Sequence, residues 1–139
     1  MDKEVADAIW RRVAEEPYAR KLGLKLVKLE PGYALVEMAF GRDMANIFET
    51  AHGGAIFSLI DEAFEISCNS HGTVAGALSM TITYHKPPTK GAILRAESRE
   101  IYRSRNTATY DIRVTENESI PIASCQALAY RRQEKLPFL

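Results

Sequence analysis

From Gly53 to Ser70, the residues Ile56, Phe57, Leu59, Ile60, Ala63, Phe64 and Ile66 cover most of the circumference of a helix. A helix that is apolar on nearly every side has to be enclosed, so the rest of the chain must wrap around it. That remainder reads mainly as strands, near 24–30, 33–40, 73–86, 91–103, 106–116 and 120–132. Turn chemistry separates them at Pro31-Gly32, Pro87-Pro88, Ser104-Arg105-Asn106 and Asn117-Glu118-Ser119. Ala34, Val36, Met38 and Phe40 alternate along the second strand. Ala108, Tyr110, Ile112 and Val114 alternate with Thr109, Asp111 and Arg113 along the fifth, as in a sheet with one wet face. In the last strand Ala123, Cys125, Ala127 and Ala129 form a face of small side chains that lets a helix come close. The expected architecture is an α+β domain, an antiparallel sheet around one buried helix.

Ahead of the sheet, residues 2–16 read as a short amphipathic N-terminal helix. Val5, Ile9 and Val13 form its stripe, Trp10 widens it, Asp2 caps it and Pro17 ends it. It is expected to cover the sheet-and-helix core rather than act as a lid. With 139 residues and no repeat or linker, one domain spans 1–139, its core at about 20–132. His71-Gly72 closes the long helix, Gly72 supplying a left-handed conformation.

Eighteen basic and 18 acidic residues balance, so no global field draws nucleic acid or an anionic membrane. No apolar run reaches the roughly 20 residues that span a bilayer, and Met1-Asp2-Lys3-Glu4 is not a secretion signal. Two cysteines, Cys68 and Cys125, cannot build a disulfide framework; a reducing cytoplasm is the expected location. Cys68 and His71 lack a third ligand at metal spacing, so no metal is expected. Asn117-Glu118-Ser119 matches a glycosylation acceptor without a secretion signal, and Arg131-Arg132 is too short to indicate nucleic acid.

Charge is distributed unevenly along the chain. From Asp43 to His85 there is no Lys or Arg, where the average of 18 in 139 predicts about six. All three histidines and Glu49, Asp61, Glu62 and Glu65 fall there. Glu62 and Glu65 are expected on a wetter edge of the helix, near a turn or a subunit contact. Asp61 lies two turns inside, too deep to cap the helix start. It is read either as an acid hydrogen-bonded to a neighbouring hydroxyl or backbone group, or as a general base or nucleophile in an apolar cleft. Asn46 sits in the preceding loop, 42–51, and His52-Gly53-Gly54 leads into the helix. Orphan N–H groups at a helix start, approached over glycine, suit an oxyanion on an attacked carbonyl.

The pattern Asn46-x5-His52-Gly53-Gly54-x6-Asp61-x-Ala63 resembles the signature of hot-dog-fold acyl-CoA thioesterases of the phenylacetate-degradation (PaaI-type) branch. Cys68-Asn69-Ser70-His71-Gly72 and Thr81-Ile82-Thr83-Tyr84-His85-Lys86-Pro87 extend the resemblance across roughly 20–131. It implies a curved antiparallel sheet wrapped around a long central helix, and a homo-oligomer: a dimer or a dimer of dimers (homotetramer). The active site would lie at the subunit interface. It implies that the Gly53 N–H polarises the thioester carbonyl while Asn46 and His52 shape that side of the pocket. Asp61, from the partner subunit, activates water or attacks the carbonyl. The products are a carboxylic acid and free CoA, and no cofactor takes part. Asp61, rather than Glu, favours this branch over the hydroxybenzoyl-CoA type. Lys90, Arg103 and Arg105 are the expected phosphate contacts, Gly54 a further substrate contact, and Ser79 and Thr81 a border of the acyl pocket. Phe40, Phe48, Phe57, Phe64 and Tyr84 are either an aryl-acyl pocket or core. The alternative is a non-catalytic acyl-CoA sensor or carrier with the same fold.

Overall fold

The computed structural model describes residues 1–139. Strands β1 (Lys25–Glu30), β2 (Tyr33–Ala39), β3 (Thr73–Tyr84), β4 (Ile93–Arg103), β5 (Thr107–Glu116) and β6 (Ile120–Lys135) form one curved, wholly antiparallel sheet. Their order is β1-β2-β4-β5-β6-β3. The helices are α1 (Lys3–Glu15), α2 (Pro17–Leu22) and the central α3 (Gly53–Asn69). This is the antiparallel sheet around one helix expected from the periodicity, and the hot-dog architecture implied by the resemblance.

The central helix buries Leu59, Ile60, Ala63 and Phe64 almost completely against the inward residues of the sheet: Val36 and Met38 of β2, Leu94 and Ala96 of β4, and Tyr110 and Ile112 of β5. Phe64 meets Tyr110 edge-on, with ring centroids 5.5 Å apart. Each such large side chain contributes roughly 1.5–3 kcal/mol on burial. Ala123, Cys125, Ala127 and Ala129 are buried on β6, as the small-residue face requires. Burial raises the Cys68 thiol to about 12 and the Cys125 thiol to about 11, which leaves both as inert core groups.

The helix ends at Asn69, and Gly72 follows at φ +89°. A Cβ at Gly72 would sit 3.0 Å from Val5 Cγ2, so both the turn and the close approach of α1 call for glycine. Asp2 caps α1, accepting from the Val5 N–H at 3.1 Å. Two expectations for this region need correction. Trp10 is exposed, and Ala8, beside Val5 and Ile9, completes the buried stripe. Pro17 ends α1 but also starts α2, standing in its first turn where a missing N–H costs nothing.

The two sheet edges differ. β1 carries Lys25, Lys28 and Glu30 and a register shift between Leu26 and Lys28, devices that discourage further pairing. β3 has no charged residue in twelve positions and exposes Ala77, Leu78 and Ser79.

Candidate active site

His52 sets the local geometry at the start of α3. Its Nδ1 accepts from the Gly54 N–H at 2.8 Å, and its carbonyl accepts from the Ala55 N–H at 2.9 Å. The Gly53 N–H is left without an acceptor, one of the four donors every helix start leaves free. The side chain of Tyr84 closes over this residue: its hydroxyl donates to the Gly53 carbonyl at 3.1 Å. A Cβ on Gly53 would stand 3.4 Å from the Tyr84 ring. Gly54, expected as a second substrate contact, has its N–H already committed to the cap.

Asn46 organises the loop. Its Oδ1 accepts from the N–H groups of Phe48 at 2.9 Å and Thr50 at 3.1 Å, and its Nδ2 donates to Thr50 Oγ1 and the Ala51 carbonyl. With Ala45 bridged to Ala51, the loop closes on itself and delivers His52 to the helix start. Asn46 therefore acts through the loop, all its polar capacity being spent there. Ile47 and Phe48 at the loop tip are among the most exposed apolar residues of the chain.

Asp61 is exposed on α3 and has no hydrogen-bond or ion-pair partner within the chain. The sequence leaves two readings, an acid hydrogen-bonded to a neighbour or a base or nucleophile in an apolar cleft; within one chain it has no such neighbour. Partial burial, reinforced by the negative charge of Glu16, raises its pKa above the ordinary aspartate value. Phe57, Asp61 and Glu65, four residues apart, form one exposed stripe of the helix. Glu65 is thus on the wet face as expected. Glu62, one residue from Asp61 and turned about 100° around the axis, is buried instead, its Oε2 without a partner. Desolvation and the nearby Glu16 push its pKa strongly upward.

Separation along the helix constrains any joint action of Gly53 and Asp61. Eight residues at 1.5 Å per residue place them about 12 Å apart along the axis of one helix. That separation is longer than the reach of either group alone to a single bound carbonyl.

The remaining anticipated residues do not gather in one place. Ser79 and Thr81 do share a strand face, as expected. Opposite Leu128 and Gln126, however, they lie on the side of the sheet turned away from α3 and line outer grooves. Lys90 follows Thr89, whose N–H and hydroxyl donate to Glu116, at the end of the sheet that holds Tyr84. Arg103 and Arg105 flank the β4–β5 turn at the opposite end, where Arg131 of β6 donates to the Ser104 carbonyl and pairs with Ala75 of β3. The nine steps of β3 from Ala75 to Tyr84 span about 30 Å. All three cations are exposed and free of acidic partners, yet in one chain they are not a single patch. Sequence reasoning gives Tyr84 only an aromatic role and misses Tyr18, whose hydroxyl meets Ser58 Oγ at 2.8 Å. No periodicity announces such contacts.

The sequence profile of the Thioesterase superfamily matches residues 48–122. Acyl-coenzyme A thioesterase PaaI of Escherichia coli K12 is 32% identical over 81% of this chain and 81% of its own length. The solved structure of the E. coli PaaI protein superposes with a TM-score of 0.88, covering 94% of this chain and 98% of that one at 27% identity. A point mutant of phenylacetic acid degradation protein PaaI from Thermus thermophilus gives 0.80 at 35% identity over 84% and 100%. The smu.793 protein of Streptococcus mutans UA159, solved with acetyl CoA bound, gives 0.77 at 26% over 81% and 91%.

Proposed function

The chain belongs to the thioesterase superfamily, in its PaaI-type branch, and on that premise we propose that it hydrolyses an acyl- or aryl-acyl-CoA thioester to the carboxylic acid and free CoA. The observation that carries this reading is the unpaired Gly53 N–H at the mouth of a buried helix, with its neighbour's N–H tied back by His52. One fixed donor there is arranged for a carbonyl oxygen that becomes more negative as the reaction proceeds.

Asp61 supplies the other half, from a second copy of the chain. The axial separation of the two groups within one helix supports a contribution from a second copy, and the uncharged β3 edge offers a strand for pairing two copies. The proposed assembly is a homo-oligomer, a dimer or a dimer of dimers, with the site at the subunit interface. In the general-base route the partner's Asp61 takes a proton from water, and the water oxygen attacks the thioester carbon. The C–S bond breaks, and the proton passes to the departing thiolate. In the nucleophilic route the carboxylate attacks the carbon itself, expels the thiolate and leaves a mixed anhydride for water to cleave. Neither route calls for a metal or redox cofactor. Phenylacetyl-CoA and related aryl-acyl thioesters are the proposed substrates, in a cytoplasmic degradative role; Lys90, Arg103 and Arg105 are proposed to hold CoA phosphates.

Asp61→Asn is nearly isosteric but cannot accept the proton, so thiol release should collapse while acyl-CoA binding persists. Unchanged release by the purified variant refutes the assignment. Binding by the wild-type protein without any release over hours favours the sensor or carrier alternative. Single-turnover hydrolysis in 18O-labelled water tests for the nucleophilic route: label in the Asp61 carboxylate after the first cycle establishes that route, with water opening the anhydride at the Asp61 carbon.

A further inference from the structure

Glu62 is 5% exposed, and its Oε2 is a buried polar side-chain atom without a hydrogen-bond partner. A carboxylate in that position is costly unless positive charge meets it. More negative charge meets it instead. Glu16, at the corner between α1 and α2, and Glu65, three residues further along α3, bring their carboxylates to the same point. One oxygen from each lies within 4.8 Å of the other two. None of the three is in an ion pair. Arg12 borders the neighbouring groove, but its guanidinium lies over the Phe138 ring at 5.9 Å. The segment from Asp43 to His85, which contains α3, has no Lys or Arg to offer.

Shared protons or a bound cation can reconcile such a cluster. One proton bridges one pair of oxygens, so three carboxylates require two. A single divalent ion answers all three together. Ligands 2.3–2.6 Å from a common centre stand at most about 5 Å apart, and the observed spread fits inside that sphere. Donors that are all carboxylate oxygens select a hard ion over zinc or copper. Access is provided as well: Glu65 is exposed, and a groove of about 640 Å³ between α1, α3 and the C-terminal segment opens beside it. Water entering there would complete the coordination.

We infer that Glu16, Glu62 and Glu65 form a site for a hard divalent cation, which clasps the α1–α2 corner to the central helix. The site does not depend on the hydrolytic reading. It rests on a buried Glu62 carboxylate that has an orphaned oxygen and converges with two further carboxylates, and it would stand if the chain only bound acyl-CoA.

The full-length protein, stripped with EDTA, is titrated calorimetrically with CaCl2, MgCl2 and MnCl2 in turn near neutral pH, with melting temperature followed in parallel. At least one ion should bind saturably, one per chain, with Kd below ~1 mM and a rise in melting temperature. Glu16→Gln changes a residue at a surface corner and should weaken binding by ~10-fold or more without lowering the melting temperature of the metal-free protein. Glu62→Gln should abolish binding and leave the metal-free fold at least as stable. Failure of all three ions to bind up to ~10 mM overturns the inference in favour of shared protons. Binding that both variants leave intact overturns it too, by locating the ion elsewhere.

Discussion

The two ends of the central helix treat their polar groups in opposite ways. At the C-terminal end, Asn69 Oδ1 accepts from the Ala75 N–H at 2.8 Å, and its Nδ2 donates to the Ala75 carbonyl at 3.0 Å. Ser70 Oγ accepts from the Gly32 N–H at 2.7 Å, Ser67 and Ser98 pair at 2.7 Å, and Glu100 joins His71 to Tyr110. At the N-terminal end the Gly53 N–H has no acceptor, and Asp61, at the midpoint of the helix, has no partner either. Buried polar groups are satisfied wherever stability alone is at stake. The closed end fastens helix to sheet, whereas the open end and the exposed middle of the helix keep a donor and an acid free for something outside the chain.

Asp61→Asn tests this division with the largest expected effect. Turnover measured by thiol release should fall ~100-fold or more, with no loss of thermal stability, because nothing in the chain depends on that carboxylate. A variant that melts early would show the open end to be structural after all. Asn69→Ala is the converse. Two β3 backbone groups lose their partners, and urea unfolding should report a loss of about 2 kcal/mol. Turnover per folded molecule should be unchanged, and a collapse of turnover would break the distinction between the ends.

A double-mutant cycle sharpens the contrast. Ser67→Ala leaves Ser98 Oγ buried and unpaired and should cost about 1–2 kcal/mol, whereas Ser67→Ala with Ser98→Ala should cost less than the two single changes summed. The smallest effect concerns neither end of the helix. Arg103→Ala and Arg105→Ala should each raise KM for a CoA thioester about threefold, at constant kcat, an effect that fades in high salt. A kcat effect would move these residues from phosphate anchoring into the reacting site.

Much of the fold is legible in the sequence because it follows from short-range periodicity. The enclosed helix appears as apolar residues on every side, and β5 appears as strict alternation from Ala108 to Val114, which its burial reproduces. Gly72 marks a turn that only a positive φ can make. The misreadings share a cause. α2 has six residues, too few to show a period, and Pro17 serves a stop and a start with the same ring. The shared face of Ser79 and Thr81 is legible in their spacing. Which face it is depends on a register shift between Ala77 and Ser79 and on pairing with β6.

Asp61 and Glu62 draw the boundary most clearly. The amino-acid sequence by itself determined a largely wrapped helix, glycines at its start, and acids on it with no cation nearby, because composition and spacing are properties of one segment. Only the tertiary structure decided which acid faces out and which faces in. Two neighbours about 100° apart on a helix look alike until the α1–α2 corner brings Glu16 against one side and leaves the other uncovered. That choice is made by packing between distant segments, and no local pattern encodes it.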